Sequence, residues 1–197
     1  MQIFFFVYKF IRTFAAEMTP EEYIQLKAFA RQDGALLSLL LIGSFACYIL
    51  GMTNPLMAMG AVLLITISPF YAANRLRHFR DQAREGIISF LRGYAYTALL
   101  FFYAGLLLAA AVFVYFNFID DGFLLSQLTK VVHSEEGQRL VEAYGMGQQM
   151  NESIKTMADM RPIDYAVNLL TLTITGGLML GIPIAAFIRR DKLNIKN

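Results

Sequence analysis

The stretch that decides the fold runs from Gly93 to Ile119, GYAYTALLFFYAGLLLAAAVFVYFNFI, 27 residues without a charge. A soluble core helix rarely runs so far without a polar face, so the segment reads as a transmembrane helix. At about 1.5 Å per residue it would be about 40 Å long, against a hydrocarbon layer of about 30 Å. Tilt, or projection beyond the lipid, takes up the excess. Asp120 and Asp121 close one end; Glu85, Arg84 and Arg92 stand near the other.

Outward from this span, the same logic finds three more. An uncharged run begins after Asp33 and reaches Asn74. Thr53-Asn54-Pro55 divides it, a polar turn in which Pro55 opens the next helix. The first two spans are therefore 35–53 and 55–73, antiparallel neighbours joined by a short turn. Gly43, Cys47 and Gly51 recur at every fourth position of the first and let another helix approach closely. Ser68-Pro69 is expected to kink the second. The third span is 87–119, and the fourth, 163–188, follows Arg161-Pro162 and ends before Arg189-Arg190. Gly177 and Gly181 form a GxxxG packing face, with Gly43, Cys47 and Gly51 the expected counterpart.

Composition agrees. The chain has 197 residues, 57% hydrophobic and 16% charged, where soluble domains hold about 25% charged residues. A net charge of +2 gives no reason to expect nucleic acid. The single cysteine, Cys47, excludes an internal disulfide and a cysteine-based zinc site.

The N-terminal 34 residues read as an interfacial segment. Lys9 and Arg12 interrupt the apolar stretch before Ala16, unlike a signal peptide, so an amphipathic surface helix fits. Thr19-Pro20-Glu21-Glu22 is a helix start with a capping box. Met18 stands before it, either as an internal methionine or as a second candidate start. The helix that follows is expected to lie along the membrane.

Between the third and fourth spans, residues 120–161 carry seven acids against four bases. Glycines at 137, 145 and 147 break this segment into short amphipathic helices. Met150, Ile154 and Met157 form an apolar stripe, either a buried face or an adaptable partner surface. His133 beside Glu135 and Glu136 is too sparse for a metal, and His78 among arginines has no second ligand.

The basic residues set the topology. Of 17 Lys and Arg, 13 flank the spans on the side of the two termini and the arginine loop, and four lie in 120–161. Positive-inside places both termini in the cytoplasm and the acidic segment outside. Arg75, Arg77, Arg80, Arg84, Arg92, Arg189 and Arg190 are then expected to face lipid headgroups, Arg92 by snorkelling.

Several of these features recur together in one family. The run Arg75–Arg84 followed by Gly86-Ile87-Ile88-Ser89-Phe90, the end of span three at Ile119-Asp120, and Met160-Arg161-Pro162 before a glycine-rich span ending in Arg189-Arg190 carry the likeness. From about Tyr23 to Lys192 the chain resembles the family catalogued as domain of unknown function 4199, small four-helix membrane proteins of Gram-negative bacteria. Met1–Glu17 departs from that pattern. The resemblance implies a bacterial inner-membrane protein without assigned activity. It also implies a genomic association with family-2 glycosyltransferases, and hence an accessory role in envelope glycan or glycolipid assembly.

The expectation is thus an all-α membrane protein with four transmembrane helices. It has an N-terminal interfacial segment over 1–34, a membrane domain over 35–192 and a short helical extracytoplasmic segment over 120–161. No nucleophile–base set, HExxH or P-loop is present, so an enzyme is not expected, and no cofactor is implied. A transporter coupled to protons needs an ionisable group inside the bilayer, and the interiors of these spans offer none beyond Arg92 at an edge. The sequence favours an accessory or scaffold subunit, in contact with lipid and with a membrane-protein partner such as a glycosyltransferase or with further copies of itself. The alternative is a small-molecule or lipid transporter acting as an oligomer.

Overall fold

The computed structural model describes residues 18–190, all of whose named elements are helices. The interfacial helix expected before Ala16 lies outside the described residues. In chain order the helices are α1 (Pro20–Gly51), α2 (Pro55–Ala83), α3 (Phe90–Phe118), α4 (Phe123–Val132), α5 (Glu135–Ala143), α6 (Gly147–Ala158) and α7 (Pro162–Ile188). Four of them, α1, α2, α3 and α7, are long and apolar enough to cross a membrane.

The starts of these helices are written locally. Thr19 accepts from the Glu22 amide at 3.3 Å while Glu22 accepts from the Thr19 amide at 3.1 Å, a complete capping box before Pro20. Asn54 caps α2 through the Leu56 amide and Ser89 caps α3 through the Arg92 amide. Asp120, buried in the turn after α3, takes the Leu124 amide at 3.1 Å and so starts α4. Pro69 does not end α2, which continues to Ala83. Proline leaves the carbonyl four residues back without its amide donor, and the Ser68 hydroxyl donates to that Ile65 carbonyl at 2.7 Å.

One expectation changes. Residues 20–34 are not a separate surface helix: α1 runs without a break through Asp33 and Gly34. Leu26, Ala30 and Asp33 are buried inside the bundle. The reason is Gly34. A Cβ there would come within 2.7 Å of the Leu100 carbonyl oxygen and 2.8 Å of the Tyr103 Cβ, so α1 and α3 touch backbone to backbone at this point. Such contact carries the α1 helix into the core well before the uncharged run begins.

Two antiparallel pairs make the bundle. Along α1 and α2 the contacts keep one register: Glu22 with Arg84, Asp33 with Arg75, Ser44 with Ala61, Cys47 beside Gly60 and Gly51 against Ala58. Along α3 and α7, Gly93 meets Ala185, Gly181 meets Tyr94, Gly177 meets Phe101 and Phe116 stacks on Tyr165. The small stripe Gly43, Cys47, Gly51 therefore packs on α2 and the Gly177–Gly181 face on α3, not on each other as the sequence suggested. Small residues permit close approach but do not name the partner, and Phe101 fills the space that Gly177 opens. The core joins the pairs through Leu37, Tyr96, Leu100, Ala104 and Leu108. Between α3 and α7, the α4–α6 segment packs mostly on itself, with Tyr165 donating to the Met157 carbonyl at 2.8 Å.

Candidate functional site: the arginine-rich end of the bundle

The basic groups concentrate where α1 begins, α2 ends, α3 begins and α7 ends. Residues 19–33, 74–92 and 189–190 hold nine Lys and Arg against five Asp and Glu. The opposite end, 119–164, holds four against eight. The molecule is bipolar, positive at one end and negative at the other.

At the positive end the charges lie in two layers. The deeper layer is built on Asp33, whose side chain is 1% exposed. Arg75 of α2 reaches it with Nη2 at 2.6 Å and Nε at 2.7 Å, and the Tyr96 hydroxyl of α3 donates to its second oxygen. Three helices thus meet on one carboxylate. Phe79 stacks on Tyr96 with ring centroids 4.9 Å apart and keeps water from that side. Tyr71, one turn before Arg75, has a buried hydroxyl without a hydrogen-bond partner among the described residues. The carboxylate is satisfied by a fork of two guanidinium donors plus a phenol, the geometry that makes a buried charge tolerable.

The second layer lies about 16 Å along α1 from Asp33, at Glu22. Its Oε1 accepts from Arg84 at 2.8 Å and its Oε2 from Arg92 at 2.9 Å. Arg80 binds Asp81 and also donates to the Ile188 carbonyl at 3.0 Å, closing the C-terminal end of α7, where the helix dipole is negative. Ile88 and Arg190 exchange a pair of backbone hydrogen bonds at 3.0 Å, which fastens the end of α7 to the α2–α3 connection.

The arginines expected at headgroups therefore divide. Arg75 is turned into the bundle by Asp33, and Arg84 and Arg92 are drawn onto Glu22. Arg77, Arg189 and Arg190 are exposed. Met150, Ile154 and Met157 are half-buried along one side of α6. His133 bonds the Thr129 carbonyl of its own helix through Nδ1, and Asp164 closes a capping box on Arg161. Among the described residues no three His, Cys, Asp or Glu converge to hold a metal.

Sequence reasoning missed Asp33 as an interior group, although a signal was present. Asp33 and Arg75 stand 21 residues before and after Asn54, at the centre of the turn. On two antiparallel helices, equal distances from the turn mean equal depth, and opposite charges at one depth meet.

Four apolar helices with a bipolar charge distribution define a multi-pass helical membrane protein. The chain belongs to the family described as Protein of unknown function (DUF4199), which matches residues 32–190. Searches of curated proteins and of solved structures found no match.

Proposed function

We propose that the protein is a non-enzymatic membrane subunit, an accessory or scaffold whose arginine-rich end lies in the cytoplasm. The observation that carries this reading is the use of the interior charges. Arg75 and Tyr96 both bond Asp33, and Arg84 and Arg92 both bond Glu22, so the charged groups serve to fasten helices. What is left for function is surface: the lipid-exposed side of α2, with Met59, Val62, Leu63 and Phe70, and the acidic α4–α6 segment. A membrane partner of the glycosyltransferase kind, in a bacterial inner membrane, fits the resemblance and the positive-inside charge pattern. Purification from native membrane in mild detergent, followed by mass spectrometry, tests it. A stoichiometric membrane enzyme supports the reading; a chain that comes out alone and carries out turnover itself overturns it. Alanine at His78, His133 or Asp164 is expected to leave insertion and phenotype intact.

One observation favours a second reading, a transporter. A proton-coupled transporter needs an ionisable group in the interior of the bundle, and Asp33 is such a group. Proton flux in sealed vesicles that is lost in Asp33→Asn would establish transport; vesicles as tight as protein-free ones would reject it.

A further inference from the structure

The Glu22 layer has more donors than its acceptor can use. Arg84 and Arg92 bring five N–H donors each, and a carboxylate offers about four lone-pair sites. One of those is taken by the Thr19 amide, which bonds Oε2 at 3.1 Å. Two guanidinium charges face one carboxylate, leaving the cluster with a surplus of one positive charge. The Arg84 Nε is buried and has no acceptor among the described residues. The cluster still reaches the surface: the side chains of Arg84, Arg92 and Glu22 are 20%, 28% and 25% exposed. Arg92 stands at the edge of the apolar run of α3, whereas Glu22 and Arg84 lie about 15 Å beyond the apolar run of α1 and α2, on its polar side.

We infer that Arg84 and Arg92 form a binding site for a phosphate group, with Glu22 as the internal anion that holds the two guanidiniums in place when the site is empty. A phosphate oxygen supplies the acceptor that the cluster lacks, and guanidinium forks match its geometry. The phosphate can belong to an anionic lipid headgroup or be free in solution. The site does not depend on whether the protein has a partner.

The test uses the full chain in detergent. It is titrated with phosphatidylglycerol, with phosphatidylcholine and with inorganic phosphate, and read by native mass spectrometry. Wild-type protein is expected to retain phosphatidylglycerol in preference to phosphatidylcholine. Arg84→Gln and Arg92→Gln should each weaken that retention about five-fold, the effect of one basic group at an anionic surface. Arg139→Gln, at the acidic end, should not. Glu22→Gln keeps a capping-box residue at its position but removes the competing anion, so phosphatidylglycerol should bind more tightly. A merely structural cluster would lose stability in that variant without gaining lipid. Displacement of the lipid by millimolar inorganic phosphate would identify the free anion as the ligand, and no displacement would identify the headgroup. Equal retention of both lipids with no phosphate adduct, or unchanged anion binding in the arginine and Glu22 variants, would overturn the proposal.

Discussion

Asp33 of α1 and Arg75 of α2 form an ion pair at 2.6 Å that also captures the Tyr96 hydroxyl of α3. The pair closes the positive end of the bundle from within. Its acid is 1% exposed and its base 24%, so the two partners are not equivalent.

That inequality gives a prediction. Asp33→Ala leaves a guanidinium that can still turn toward water, and its cost is expected near the low end of the range for breaking a buried pair, about 3 kcal/mol. Arg75→Leu leaves the deeper charge uncompensated and should cost more. The double replacement Asp33→Leu/Arg75→Leu should be more stable than Arg75→Leu alone, because it removes the stranded charge. Thermal unfolding in detergent reads all three; a double variant no better than Arg75→Leu would contradict the account.

The glycines of α7 are not equivalent either. A Cβ at Gly177 would overlap the Phe101 side chain, whereas one at Gly181 would meet the Tyr94 ring at 3.0 Å. A Cβ at Gly176 would meet nothing within 4 Å beyond its own helix among the described residues. Gly177→Ala should destabilise by about 1–3 kcal/mol, and Gly181→Ala by less. Gly176→Ala should be neutral or stabilising, by up to about 1 kcal/mol from helix propensity. Melting curves of the three variants in one detergent check the order.

The α1–α2 register can be fixed chemically. A Cβ at Gly60 would stand 4.0 Å from the Cys47 Cβ and 3.6 Å from its Sγ. Disulfides span Cβ separations of about 3.5–4.5 Å. Gly60→Cys is therefore expected to form an intramolecular disulfide with Cys47 on mild oxidation. Both thiols should then be lost to labelling after denaturation. Two free thiols per chain would mean that the Gly43–Cys47–Gly51 stripe faces elsewhere.

Much of this architecture was legible in the sequence, because it follows from hydropathy and caps. The uncharged run Gly93–Ile119, the Thr53-Asn54-Pro55 turn and the Thr19–Glu22 capping box each act over a few residues and need no partner. Pairing was less legible. Gly177 announces that something comes close, but the Phe101 that does so looks like any other lipid-facing aromatic of a transmembrane run. Asp33 was hidden for a different reason. It stands at the edge of an uncharged stretch, where charges usually meet water, and only the close crossing at Gly34 carries it inside.

The proposed function rests on the proposed orientation, with the arginine-rich end in the cytoplasm and the α4–α6 segment outside. Cys47→Ser gives a cysteine-free background, into which Glu142→Cys and Asp81→Cys are introduced one at a time. Both positions are exposed, one at each end of the molecule. In intact cells a membrane-impermeant maleimide is expected to label the cysteine at 142 and to leave the one at 81 unlabelled until the membrane is opened. Labelling at 81 but not at 142 would contradict the account.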